Sequence, residues 1–208
     1  MGQSLLIASG NPGKIQEIKA ILSPLDCEII SAGERGLNLT IDETGGSYAA
    51  NAKIKAEAYL HADGTMVIAD DSGLEVEALN GQPGIFSARF SPKDNATDHD
   101  RRTYLLEQLQ GKPEPWTAHF HCTAVLAIPG EKFIQTTGRC SGVIIPEERG
   151  THGFGYDPIF YMPEHNATMA ELPADLKNRI SHRGRALMGM IPYIERFLTL
   201  DGANNKLF

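Results

Sequence analysis

The run Met66-Val67-Ile68-Ala69-Asp70-Asp71-Ser72-Gly73 sets four apolar residues directly before two adjacent carboxylates and a Ser-Gly pair. The apolar part predicts a short buried strand. In an open α/β sheet, ligands gather at the carboxyl ends of strands, so the acidic pair that ends this one reads as the floor of a site. Two like charges this close resist joint ionisation and desolvation unless a positive partner, a metal ion or a substrate, meets them. The plainer reading is a solvated turn after an edge strand, because Asp-Asp-Ser-Gly is also good turn chemistry. Beyond it, Leu74, Val76 and Ala78 alternate with polar neighbours as in a half-buried strand. Gly81, Pro83 and Gly84 then lead to Ser87-Ala88-Arg89, a rigid loop that delivers an arginine.

Upstream, Leu5-Leu6-Ile7-Ala8 is a short unbroken apolar run, as a strand covered on both faces requires. It passes through Ser9-Gly10-Asn11-Pro12-Gly13-Lys14 into Ile15, Ile18, Ile21 and Leu22 at helical spacing. A strand, glycine-bearing loop and helix in direct succession aim backbone N–H groups and the positive helix end at one point, and Lys14 adds a charge, so the junction suits a phosphate. The spacing is not that of a Walker A loop, and an ordinary βα turn with a surface lysine is the alternative. Residues 27–31 predict a second strand, 33–46 a loop carrying Asp42, Glu43 and Thr44, and 47–61 a helix ended by Asp63-Gly64. Asn51 and Lys55 share a face of that helix, which is read as solvated.

Downstream, Thr97 or Asp98 stands where a helix cap belongs, ahead of Tyr104, Leu105 and Leu109. Residues 117–128 and 132–141 alternate as two strands joined by Pro129-Gly130-Glu131. His119 and His121 lie on one strand face with no further ligand nearby and read as a polar sheet face. The stretch 150–160, GTHGFGYDPIF, interleaves three glycines with Phe154 and Tyr156, so its backbone can approach a ligand while a ring stacks on a planar group. A glycine-rich hairpin with core aromatics is the other reading. Ser181-His182-Arg183-Gly184-Arg185 opens a helix reaching about Leu198. The helix dipole disfavours cations at that end, which suggests an anion or polar ligand there.

The chain has 208 residues, 41% of them hydrophobic, enough for a sizeable core. Its net charge of -7 argues against coating a nucleic acid polymer or an anionic membrane by bulk electrostatics. Cys27, Cys122 and Cys140 are single and without metal-ligand spacing, so they read as reduced thiols of a cytoplasmic protein. No run is long and apolar enough for a membrane span.

Four separated segments agree: the 9–14 loop with Glu17, Ala69-Asp70-Asp71-Ser72-Gly73-Leu74 continuing through Pro83-Gly84 to Ser87-Ala88-Arg89, the loop 153–158, and Ser181-His182-Arg183-Gly184. In order and spacing they resemble the signatures of the inosine triphosphate pyrophosphatase family, the XTP/dITP diphosphohydrolases, over nearly the whole chain. One departure is Ala50 before Asn51, where many relatives carry an acidic residue. The resemblance implies an α/β fold with an elongated mixed central sheet flanked by helices. It further implies a single domain, 1–208, of two lobes around a nucleotide-binding cleft, working as a homodimer. It places a phosphate-binding loop on Ser9, Gly10, Asn11, Pro12, Gly13 and Lys14, metal ligands on Glu43 and Asp71, and the general base on Asp71. It places triphosphate and base contacts on Ser72, Phe154, Gly155, Tyr156, Asp157, Lys177, His182 and Arg183.

The activity so implied is hydrolysis of non-standard purine nucleoside triphosphates (dITP, ITP, XTP) to the monophosphate and pyrophosphate, cleansing the nucleotide pool. Mg²⁺ suits one or two carboxylates plus phosphate oxygens, which Asp71 and Glu43 would provide. Lys14, with Lys55 and Lys177, would hold phosphate charge, while separate roles for Asp70 and Arg89 stay open. Donors from backbone N–H groups, His182 or Arg183 would accept a 6-oxo base and face the 6-amino group of adenine unfavourably. The alternatives are a purine-triphosphate sensor that does not hydrolyse and a pyrophosphatase of canonical pyrimidine nucleotides. The paired aspartates weigh against the pure sensor, since affinity for a polyanion is poorly served by two carboxylates without a metal-dependent role.

Overall fold

The computed structural model describes residues 3–204. Among these residues seven strands form one sheet in the order β2-β1-β3-β4-β5-β6-β7: β1 Ser4–Ile7, β2 Glu28–Ser31, β3 Met66–Val76, β4 Trp116–Ala127, β5 Ile134–Ile144, β6 Phe160–Met162 and β7 Ala167–Thr168. The sheet is mixed, because β1 pairs in parallel with β2 and β3 whereas β6 is antiparallel to β5 and β7. Helices α1 Pro12–Leu22, α2 Tyr48–Asp63, α3 Asp98–Leu109, α4 Ala174–Ile180 and α5 His182–Asn204 complete the α/β fold. The chain divides into two compact units. Unit 1 holds the residues up to Asp71, Cys122–Gly138 and those from Arg183 on; unit 2 holds Ser72–His121 and Arg139–His182.

In unit 1 the period of two in β1 sorts its side chains onto two faces. Leu5 and Ile7, with Ile68, pack against Ile18 and Leu22 of α1 and Ala186, Leu187, Met190 and Ile194 of α5. Leu6, with Val67 and Ala69, packs against Ala52, Ala56 and Tyr59 of α2. Leu5, Leu6 and Ile7 are wholly buried, and each such side chain contributes about 1.5–3 kcal/mol. Covered on both faces, β1 holds its carboxyl end, and the loop that follows, in a fixed place. Unit 2 has its own core, in which Leu74, Val76, Phe120 and Phe160 meet Leu105 and Leu109 of α3.

The aspartate pair is not a turn. Strand β3 runs unbroken through Asp70, Asp71, Ser72 and Gly73 to Val76. Turn chemistry loses here because both carboxylates find cationic or amide partners along the extended chain, as described below. The strand reading of 74–79 holds only to Val76. Glu77–Leu79 is a single 3-10 turn, ended by Asn80 at φ 54 and Gly81 at φ 83, where the backbone turns away.

Candidate active site

Unit 1 gathers a cluster of charges around the aspartate pair. Asn11 caps α1, its side chain accepting the Lys14 N–H at 3.0 Å, and Pro12 fills the first helical position where no donor is needed. Ser9 Oγ accepts the Asn11 N–H at 3.2 Å, so the 9–14 loop is tied at both ends. From its first turn Lys14 reaches Asp70 Oδ2 at 3.1 Å. Arg183, only 1% exposed, grips the same oxygen through Nη2 at 3.0 Å and Nε at 3.2 Å, and donates through Nη1 to Glu17 on α1. Asp70 Oδ1 is buried and finds no hydrogen-bond partner among the described residues.

Asp71 has different neighbours. Asn51 of α2, fully buried, donates to its Oδ2 at 3.1 Å. Lys55, one turn further along, lies 3.6 Å from Asp71 Oδ1 and 2.7 Å from Glu43 Oε1, so one ammonium is shared by two carboxylates. Gly45 is needed where the Glu43 loop meets α2, because a Cβ there would sit 2.7 Å from Asn51 Oδ1.

These surroundings separate two adjacent acids. Burial alone would raise the Asp70 carboxyl, but Lys14, Arg183 and Lys55 overcome it and hold Asp70 well below the usual carboxylate range. At Asp71 burial wins: its carboxyl is pushed up despite Lys55, Lys14 and the Asn51 hydrogen bond. Lys55 is itself held protonated, since Asp71, Asp70 and Glu43 outweigh the effect of its burial. Among the described residues no three His, Cys, Asp or Glu side chains are arranged to hold a metal unaided. The residues nevertheless fit a divalent cation of the kind that takes one or two carboxylates and completes its shell with ligand oxygens. Glu43 and Asp71 already share one cationic group, and Asp70 Oδ1 is a buried oxygen that meets no donor among the described residues.

Unit 2 carries a site of another kind, the glycine loop. Gly150, Gly153 and Gly155 all have positive φ, and a Cβ on Gly153 would lie 2.1 Å from Asp157 Oδ2 and 2.8 Å from Lys177 Nζ. Asp157 is buried; its Oδ2 accepts the Phe154 N–H at 2.9 Å and the Lys177 ammonium at 2.5 Å. Lys177 Nζ also stands 5.3 Å from the centroid of the Phe154 ring. Tyr156 turns into the core and donates to the Ser87 carbonyl at 2.9 Å, while His182 stacks on Phe120 at 4.6 Å and 13°.

The Ham1 family model matches residues 5–193, which include both sets. A dITP/XTP pyrophosphatase of Bacillus subtilis is 44% identical over 193 residues, covering 91% of this chain and 96% of the relative. One of Desulforamulus reducens is 42% identical over 195 residues, covering 92% and 96%. This chain belongs to the Ham1 family. Among solved Ham1 structures, that of a HAM1 protein from Coxiella burnetii superimposes with a TM-score of 0.83 at 38% identity, covering 93% of this chain and 99% of the other. The Staphylococcus aureus Ham1 protein gives 0.79 at 39% identity, covering 96% and 100%.

Within this Ham1 chain, Lys14, Glu43, Asp71 and Arg183 meet in the unit 1 cluster, and Phe154, Asp157 and Lys177 meet in the unit 2 loop. Gly10 is exposed and Ser72 partly buried. Sequence reasoning gives no role to Glu17 and none to Asn51, whose helix face reads as solvated, and expects Lys55 to hold phosphate charge rather than to bridge Glu43 and Asp71. A usable signal was present. Glu17 stands three residues after Lys14 and Lys55 four after Asn51, spacings that put each pair on one helix face. Among the described residues no helix is long and apolar enough to cross a membrane.

Proposed function

We propose that the chain is a nucleoside triphosphate pyrophosphohydrolase that converts dITP, ITP and XTP to the monophosphate and pyrophosphate. The observation that carries this reading is the split between Asp70 and Asp71. Environments that push two neighbouring acids apart mark an acid–base assignment, here a carboxylate held ionised by Lys14 and Arg183 and one raised by burial above the usual carboxylate value. Asp71 takes the proton of the attacking water. Lys14 and Lys55 meet phosphate charge, with the 9–14 loop offering backbone donors at the start of α1. Arg183 supports the site from behind, because its guanidinium is engaged with Asp70 and Glu17. Asp71 and Glu43 would hold Mg²⁺, and the bound ion would supply charge neutralisation of the triphosphate and a more acidic water. In unit 2, Phe154 stacks on the base, Gly155, Tyr156 and Asp157 shape the loop that carries it, and Lys177 and His182 present donors to a 6-oxo purine. Ser72 follows Asp71 directly and contacts the triphosphate.

The relatives named above are dITP/XTP pyrophosphatases, which supports this substrate class. The test is incubation with dITP, XTP, dATP, dGTP and dTTP plus MgCl₂, counting pyrophosphate against orthophosphate. Fastest turnover of dITP and XTP, with one pyrophosphate per monophosphate, is expected and should vanish with chelator. Preference for dTTP, release of orthophosphate, or binding without turnover would overturn the reading. We place the enzyme in the cytoplasm, in keeping with three free cysteines. Light scattering checks the homodimer that belongs to the same proposal.

A further inference from the structure

Helix α3 approaches the glycine loop with more chemistry than a helix start requires. Its cap is already complete: Thr97 accepts the Asp100 N–H, and Asp100 returns the bond to the Thr97 N–H. Asp98 therefore has no capping task. Its Oδ2 instead accepts the Gly155 N–H at 2.7 Å while Arg101 holds its other oxygen. One turn along the same face, Arg102 Nη1 donates to the Gly155 carbonyl at 2.7 Å. Arg102 is steadied by Glu148 Oε2 at 2.7 Å, and Glu148 Oε1 lies 2.9 Å from His99 Nδ1. One residue, at φ +60, is thus gripped by both its N–H and its C=O, by an acceptor and a donor four positions apart.

We infer that Asp98 and Arg102 are positioning residues for base recognition, gripping Gly155 at both backbone groups and so fixing the pitch of the Phe154 ring that precedes it. This rests on the proposed assignment of Phe154 to the base. A loop with three positive-φ glycines loses much conformational freedom when it orders. The grip imposes that order before ligand arrives, which strengthens binding without touching the ligand. Such an effect falls equally on ground and transition states, so it appears in KM rather than kcat. It also spares any ligand that has no base.

The experiment uses the full chain with MgCl₂, dITP as substrate and inorganic tripolyphosphate as competing inhibitor. Asp98→Ala and Arg102→Gln should each raise KM for dITP about tenfold with kcat within about twofold, and leave inhibition by tripolyphosphate unchanged. Asp98→Asn and Arg102→Lys, which keep an acceptor and a donor, should recover most of the loss. If Asp98→Ala does not fold, Arg102→Gln and the two conservative variants carry the same test. In a Phe154→Leu background Arg102→Gln should raise KM little further, a non-additivity that a merely structural role would not produce. Wild-type turnover of dITP with unaltered KM in the variants, or with equal losses for tripolyphosphate, would overturn the grip alone. Absence of dITP turnover by the wild type would overturn the functional reading and the grip with it.

Discussion

In unit 1 side chains hold side chains: Lys14 and Arg183 on Asp70, Lys55 between Glu43 and Asp71, Asn51 on Asp71. In unit 2 side chains hold backbone: Asp157 on the Phe154 N–H, Asp98 and Arg102 on the two sides of Gly155, Tyr156 on the Ser87 carbonyl. The first arrangement sets the charge state of acids, which is what phosphate chemistry needs. The second sets the path of a chain, which is what selection of a flat ring, the role proposed for Phe154, would need. Damage to the first should appear in turnover or global stability, and damage to the second in affinity for the base-bearing substrate.

The largest departure is expected from Asp71→Asn, with kcat for dITP reduced about 10²–10⁴-fold. The same variant should unfold at equal or higher urea concentration than the wild type. A carboxyl raised in the fold adds stability when protonated and loses that contribution as pH rises through its folded value, so at neutral pH its charge is a liability that Asn removes. Near-normal turnover would take Asp71 out of the base role. Asp70→Asn should do the reverse to stability. It leaves Lys14 and Arg183 without their shared carboxylate, a break that costs about 3–5 kcal/mol in a urea titration. Unchanged stability there would erase the distinction between the two acids.

The unit 2 effects are smaller. Gly153→Ala forces a Cβ against Asp157 Oδ2 at positive φ, so a loss of about 1–3 kcal/mol and a raised KM for dITP are expected, with kcat largely kept. A kcat collapse in that variant would mean that the loop shares the chemistry of the cluster. The smallest effect is one of pH. Burial opposes ionisation of Asp98, but the Gly155 N–H and Arg101 hold its carboxyl below the ordinary range. Its contribution is therefore full above about pH 4 and fades as pH falls through the lowered folded value. Because the side chain is 38% exposed, solvent screens the interaction and the contribution stays below about 1 kcal/mol. Wild type and Asp98→Asn should differ in melting temperature at pH 6 and converge in stronger acid.

The elements were legible wherever their cause was local. The both-faces-buried run at β1, the proline and asparagine at the start of α1, and Gly64 closing α2 are each decided within a few residues. The aspartate pair was legible as chemistry but not as geometry: whether it turns or runs straight depends on Lys14, Lys55 and Arg183, none of which is near it in sequence. Arg183 shows the limit most clearly. Its cationic head at a helix start pointed to a polar partner, and its partners Asp70 and Glu17 lie 113 and 166 residues away. No period or spacing within a helix carries that information. The grip of Asp98 and Arg102 on Gly155 was hidden for the same reason, over separations of 57 and 53 residues.

The ammonium of Lys55, straddling Glu43 and Asp71, gives the acidic end of the cluster a resident cation. A protein furnished in this way has no need of a bound ion to remain folded, unlike small domains whose architecture dissolves in chelator. EDTA should therefore silence it while leaving its melting temperature nearly still, and restored Mg²⁺ should revive it at once, with no refolding step between.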